Sequence, residues 1–229
     1  MLFSTVKTLI SGGEFDAVTF LVELASMLFV VFCLLPVHEF AHAFVATRLG
    51  DDTPRLQGRL TLSPFAHIDP LGAIMMFIFG FGYAKPVPVN IAKFKNPRAG
   101  FALTALAGPV SNLIMALLSF IIGALCARWS SSVGFLNILY IFFIYAAQVN
   151  VSLAVFNLLP VPPLDGSRLL AVIIPQKYYF KMLQYERYIV IVIFALLFTG
   201  VLSAPINFLE SAVSSLFMKI AFAIAGIGY

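Results

Sequence analysis

The chain has 229 residues, of which 61% are hydrophobic and only 10% charged, with a formal net charge of +4. Soluble domains carry roughly 25% charged residues, so this chain has too few to cover a water-facing globule. Its mean hydropathy of +1.01 and its long apolar blocks instead match helices that cross a bilayer.

The first block spans 17–49, and it does not read as a secretory signal. Lys7 is a thin basic region, Glu14 and Asp16 precede the apolar run, and that run is long with no clear cleavage site. Residues 71–83 are apolar but short, with Gly72, Gly80 and Gly82, so 71–90 is expected to be re-entrant, interfacial or β-like. Two further spans are expected at 100–127 and 133–159, then one at 188–203. Pro205, Glu210 and Lys219 make 205–227 either a second arm of a hairpin or a helix in the interface. The expected fold is an all-α polytopic membrane protein, a bundle of about 4–6 transmembrane helices. Residues 1–229 read as one transmembrane domain with no separate soluble domain. Cys33 and Cys126 lie in apolar segments and read as small buried hydrophobes, not as a disulfide framework or metal cluster.

Charge gives the orientation. Arg48, Arg55 and Arg59 follow the first span, and Lys85, Lys93, Lys95 and Arg98 precede the second. Arg168, Lys177, Lys181 and Arg187 follow the third. All fall on one side if 71–83 does not cross, and the positive-inside rule makes that side cytoplasmic. Dispersed among juxtamembrane loops, these charges form no nucleic-acid-binding stripe.

Within the first span lies His38-Glu39-Phe40-Ala41-His42. Histidines four apart on a helix share a face, about 40° apart in azimuth and about 6 Å along the axis, so both imidazoles reach one metal ion. Glu39 beside them is placed to take a proton from water at that metal, and Zn2+ suits two His nitrogens with one carboxylate oxygen. Chance, allowing any acidic residue at the second position, gives roughly 0.002 such matches in this composition. The motif is therefore no coincidence, and ionisable groups inside spans are costly and mark function.

A third ligand must come from elsewhere, and Asp165 is the first choice. Pro160, Pro162 and Pro163 stop the third span and favour an extended approach to Asp165, on the same side as His38 and His42. Spacing alone leaves a second role open, since Asp is also favoured at the start of a helix. Asp51, Asp52 and Asp69 are rival carboxylates, expected in a surface loop.

Together the His38-Glu39-x-x-His42 motif and Leu164-Asp165-Gly166 resemble the site-2 protease family of intramembrane zinc metalloproteases. Ala66–Gly72, Gly82–Asn90 and Ala107–Asn112 resemble its compact prokaryotic branch, and the likeness covers about 36–168. The resemblance implies one zinc ion held by His38, His42 and Asp165, with Glu39 as general base. It also implies an endopeptidase acting on transmembrane protein or peptide substrates in or near the bilayer, in a prokaryotic plasma membrane. A regulatory membrane partner or a second copy is left open.

Other polar positions carry weaker expectations. Asn157 and Asn112 stand as tentative substrate or oxyanion contacts against a plain interhelical role. Val87 and Val89, in Val87-Pro88-Val89-Asn90, are expected to form an edge that holds unwound substrate by strand addition, with a surface turn as the alternative. His67 stays outside the ligand set. A metal-ion transporter and a non-catalytic membrane binding protein are the alternative functions. Glu39 beside the histidines argues against both, and no paired broken helices of the transporter kind are seen.

Overall fold

A computed structural model describes residues 16–79, 84–130 and 133–228. Gly80 and Gly82, singled out above, lie outside them. Among the described residues there is no strand. The helices in order are α1 (Ala17–Phe29), α2 (Leu35–Arg48), α3 (Thr53–Leu56), α4 (Pro64–His67), α5 (Pro70–Phe79), α6 (Pro97–Trp129), α7 (Gly134–Asn157), α8 (Gly166–Ile173), α9 (Gln176–Gln184), α10 (Glu186–Phe198) and α11 (Ser203–Ala225). A π-helical turn at Val30–Leu34 joins α1 to α2 in one continuous rod. Pro36 explains it: proline has no N–H for the carbonyl four residues back, and its ring needs room there.

Among the described residues four helices are long and apolar enough to cross a membrane: Ala17–Arg48, Pro97–Trp129, Gly134–Asn157 and Ser203–Ala225. The fold is thus the all-α polytopic membrane bundle expected. The stretch expected as a span at 188–203 carries the 13-residue α10, about 20 Å long against a hydrocarbon core of roughly 30 Å. The more polar stretch after it forms the full-length helix α11.

Helix α6 is central, and its two faces show which solvent it meets. Leu103, Val110, Ile114, Leu118 and Ile122 are exposed on one side. Ala105, Gly108, Asn112, Ala116, Ser119 and Ala124 are buried on the other. Large apolar residues outside and small ones inside is the pattern of helices that pack closely within lipid. Ala116, Phe120 and Ala124 meet Ala147, Val151 and Val155 of α7 and Ala221 and Ala225 of α11. A second core joins Met27, Val30, Val31 and Leu34 to Ala146, Val149 and Leu153. Polar ties register the helices: Ser26 donates to the Phe142 carbonyl (3.0 Å), and Arg128 donates to the Ala225 carbonyl (2.6 Å) at the end of α11.

The loop side is built from polar anchors. Asp69 Oδ1 accepts the N–H groups of Leu71 and Gly72, both at 3.0 Å, and so caps α5. Asp51, expected in a surface loop, is fully buried and accepts from Thr53 N (3.0 Å) and Asn90 N (2.6 Å). Arg59, 8% exposed, donates to the carbonyls of Ala66, Lys85 (3.2 Å) and Pro86 (3.3 Å). Between these anchors 84–90 runs as irregular backbone. Pro86 and Pro88 remove two donors from it, so no ladder forms among the described residues.

Candidate metal centre

Helix α2 carries His38, Glu39 and His42 on its buried face, at 4%, 7% and 3% exposure. His42 Nε2 lies 3.0 Å from His38 Nε2, and Asp165 Oδ2 lies 3.4 Å from His38 Nε2 and 3.0 Å from His42 Nε2. Among the described residues these three form the one acidic or histidine group able to share a metal ion. Zinc–ligand bonds of 2.0–2.1 Å in a tetrahedron put ligand atoms about 3.3 Å apart. The observed edges match, so the donor set fits zinc.

Neighbouring groups hold the donors in place. The Thr104 carbonyl lies 2.7 Å from His42 Nδ1, so Nδ1 carries the proton and Nε2 presents its lone pair to the centre. Arg168 Nη1 stands 3.6 Å from Asp165 Oδ1, leaving Oδ2 for the histidines. The guanidinium itself rests over the Phe101 ring at 5.4 Å. Two glycines allow the close approach. A Cβ on Gly108 would fall 2.6 Å from His38 Nε2 and against His42 Nε2, and one on Gly166 would strike the Leu158 and Leu159 carbonyls. Gly108 therefore leaves the space that an ion needs.

Asp165 arrives differently from the expectation. The stretch 158–165 is a series of turns, with Val161 N on the Leu159 carbonyl (2.8 Å) and Leu164 N on the Val161 carbonyl (3.0 Å). Proline's fixed φ suits turns as well as extended chain, and the packing of Gly166 against 158–159 selects the turns. Asp165 precedes α8, yet its side chain makes no capping hydrogen bond. The rival carboxylates are occupied elsewhere: Asp51 in its buried clamp, Asp52 beside Arg55 (3.5 Å), and Asp69 at its cap. His67 is fully buried, with Nε2 2.8 Å from the Thr61 carbonyl and its own carbonyl accepting from Lys85 N (2.7 Å).

A cavity of about 610 Å³ opens onto the three donors and Glu39. Asn157 and Val87 line it, while Asn112 and Val89 do not. Asn112 is 1% exposed within α6. Asn157 donates one amide proton to the Leu153 carbonyl (2.9 Å) and carries a second. Sequence reasoning passed over Thr104, Ser152 and Glu210, which reach the cavity region only through tertiary proximity, and Arg168, whose i,i+3 spacing from Asp165 was the signal that could have found it.

Similarity to known proteins agrees with this site. The model of peptidase family M50 matches residues 128–200, which include Asp165. The candidate zinc metalloprotease YwhC of Bacillus subtilis is 46% identical over 165 residues, 71% of this chain and 75% of its own. The candidate zinc metalloprotease Rip2 of Mycobacterium tuberculosis is 35% identical over 136 residues, 58% of this chain and 51% of its own. MJ0611 of Methanocaldococcus jannaschii, with the same description, is 35% identical over 101 residues, 44% of this chain and 49% of its own. No solved structure matches the chain. The chain belongs to peptidase family M50, the site-2 proteases.

Proposed function

We propose that this chain is a zinc-dependent intramembrane endopeptidase that hydrolyses peptide bonds in or near transmembrane helices of membrane proteins. The observation that carries the reading is the convergence of His38, His42 and Asp165, with Glu39 beside them, on a cavity inside a membrane bundle. Zinc held there would supply Lewis-acid activation of water and of the scissile carbonyl. Glu39 accepts a proton from the attacking water and delivers it to the leaving nitrogen as the C–N bond breaks. Asn157 offers its free amide proton to the carbonyl oxygen as negative charge develops. Arg168 holds the Asp165 carboxylate in orientation.

The substrate backbone must be unwound first, since a transmembrane helix hides its carbonyls in internal hydrogen bonds. In this reading the segment 84–90, clamped by Arg59 at one end and Asp51 at the other, holds it extended. By the charge rule the active site lies toward the cytoplasmic side of the plasma membrane.

The test uses purified wild type and Glu39→Gln, each assayed for zinc and for cleavage of a transmembrane-helix substrate. Both proteins should hold one zinc, and only wild type should cut. Cleavage by Glu39→Gln at the wild-type rate would remove Glu39 from the role of base, and zinc-loaded wild type that cuts no transmembrane substrate would overturn the reading.

A further inference from the structure

Glu210 is the one acidic residue of α11, and it sits about 10 Å along that helix from its start at Ser203. An ionisable group at that depth is costly unless it has a task. Its carboxylate faces the same cavity as the metal ligands and accepts a hydrogen bond from the Ser152 hydroxyl. Ser152 and Gln148, four apart on one face of α7, line that cavity too. A carboxylate offers about four acceptor positions, and the Ser152 hydroxyl takes one. The surrounding wall is apolar, with Phe156, Leu197 and Ile206. With acceptor capacity to spare and apolar neighbours on that side, the carboxylate favours a hydrogen-bond donor.

Position along α7 gives the register. Leu34 packs in one cluster with Leu153, so His38, one turn beyond Leu34, lies near the level of Asn157. Ser152 is five residues before Asn157, about 7.5 Å along the axis. An extended chain covers that distance in about two residues.

We infer that Glu210, with Ser152 and Gln148, forms a specificity subsite for a hydrogen-bond-donating side chain of the substrate, lysine or a carboxamide, about two residues from the bond that is cut. The inference rests on the protease reading above. Glu210 is here a specificity-determining residue and takes no part in proton transfer at the cut bond.

The test reads binding and cleavage separately, with the full chain in lipid nanodiscs. Labelled transmembrane peptides that differ at one position, carrying Leu, Gln or Lys there, are scanned along the sequence. In the Glu39→Gln background, Gln and Lys at one register should bind at least tenfold tighter than Leu, and adding Glu210→Leu should abolish that difference. Wild type should show the same preference in kcat/KM, with the preferred position about two residues from the cut. A plain tie between α7 and α11 would shift all peptides alike. If Glu210→Leu does not fold, Glu210→Gln, which still accepts from Ser152, must lose the preference for Lys. A preference at no register, or one that survives both substitutions, overturns the inference. A register preference in binding with no cleavage by wild type would keep the subsite and remove the protease reading; cleavage without a register preference would do the reverse.

Discussion

Gly108→Ala is the sharpest test of the metal centre, because it adds one carbon at a known place. That carbon would lie 2.6 Å from His38 Nε2 and touch His42 Nε2 as well. Ordinary contact between heavy atoms begins near 3.5 Å, so the imidazoles must retreat by roughly 0.9 Å. Metal–ligand distances tolerate only about 0.2 Å, so the three donors cannot keep their mutual edges. Overpacking of this kind costs about 1–3 kcal/mol, which corresponds to roughly 5- to 150-fold in affinity. The backbone effect has the opposite sign, since alanine is favoured over glycine within a helix by roughly 0.5–1 kcal/mol. We therefore expect zinc affinity to fall, and the stability of the zinc-free protein to change by less than the full overpacking cost because the helix gain offsets part of it. Competition with a chelator gives the first quantity and thermal unfolding of the zinc-free protein in detergent gives the second. Gly123→Ala on the same helix is the control, because its Cβ would meet Ile144 at an unstrained 3.4 Å. Wild-type zinc affinity in Gly108→Ala, or an equal loss in Gly123→Ala, would refute the reasoning.

Three other outcomes follow from the anchors around the cavity. Asp51→Ala removes the buried carboxylate that accepts the Asn90 N–H, a hydrogen bond to a charged group worth about 1.5–3 kcal/mol; amide exchange across 84–93 should quicken while zinc content holds, and unchanged exchange would refute the clamp. Val87→Pro or Val89→Pro should reduce cleavage without loss of zinc, and full cleavage would remove 84–90 from substrate binding. Burial lowers the His67 pKa and Arg59 acts the same way, against the raising effect of the Thr61 carbonyl. Because the folded pKa lies below the unfolded value of about 6.5, the contribution of His67 to stability is full above that pH and is lost as pH falls through the lowered folded pKa. Melting curves of wild type and His67→Gln should thus run parallel above pH 6.5 and diverge below, wild type losing more; parallel curves throughout would sink this account.

The sequence by itself determined the solvent, the class and most of the candidate metal site. Composition and block length are properties of the chain, and only a bilayer suits so few charges. His38, Glu39 and His42 were legible because one helix holds them at fixed spacing, so local geometry alone brings the ligands together. Asp165 was legible through resemblance, with spacing leaving its role open. Tertiary structure decided what depends on contacts between distant segments. It turned the Asp165 side chain away from capping and toward the histidines, folded 158–165 into turns and made 203–225 one continuous helix, α11. It also drew Asp51 out of solvent into the clamp on Asn90, and it brought Thr104 and Gly108 against the candidate ligands and Glu210 onto the cavity wall. None of these has a period or a neighbour in sequence to announce it. Their roles come from close packing between helices, where the absence of one methyl at Gly108 leaves room for an ion.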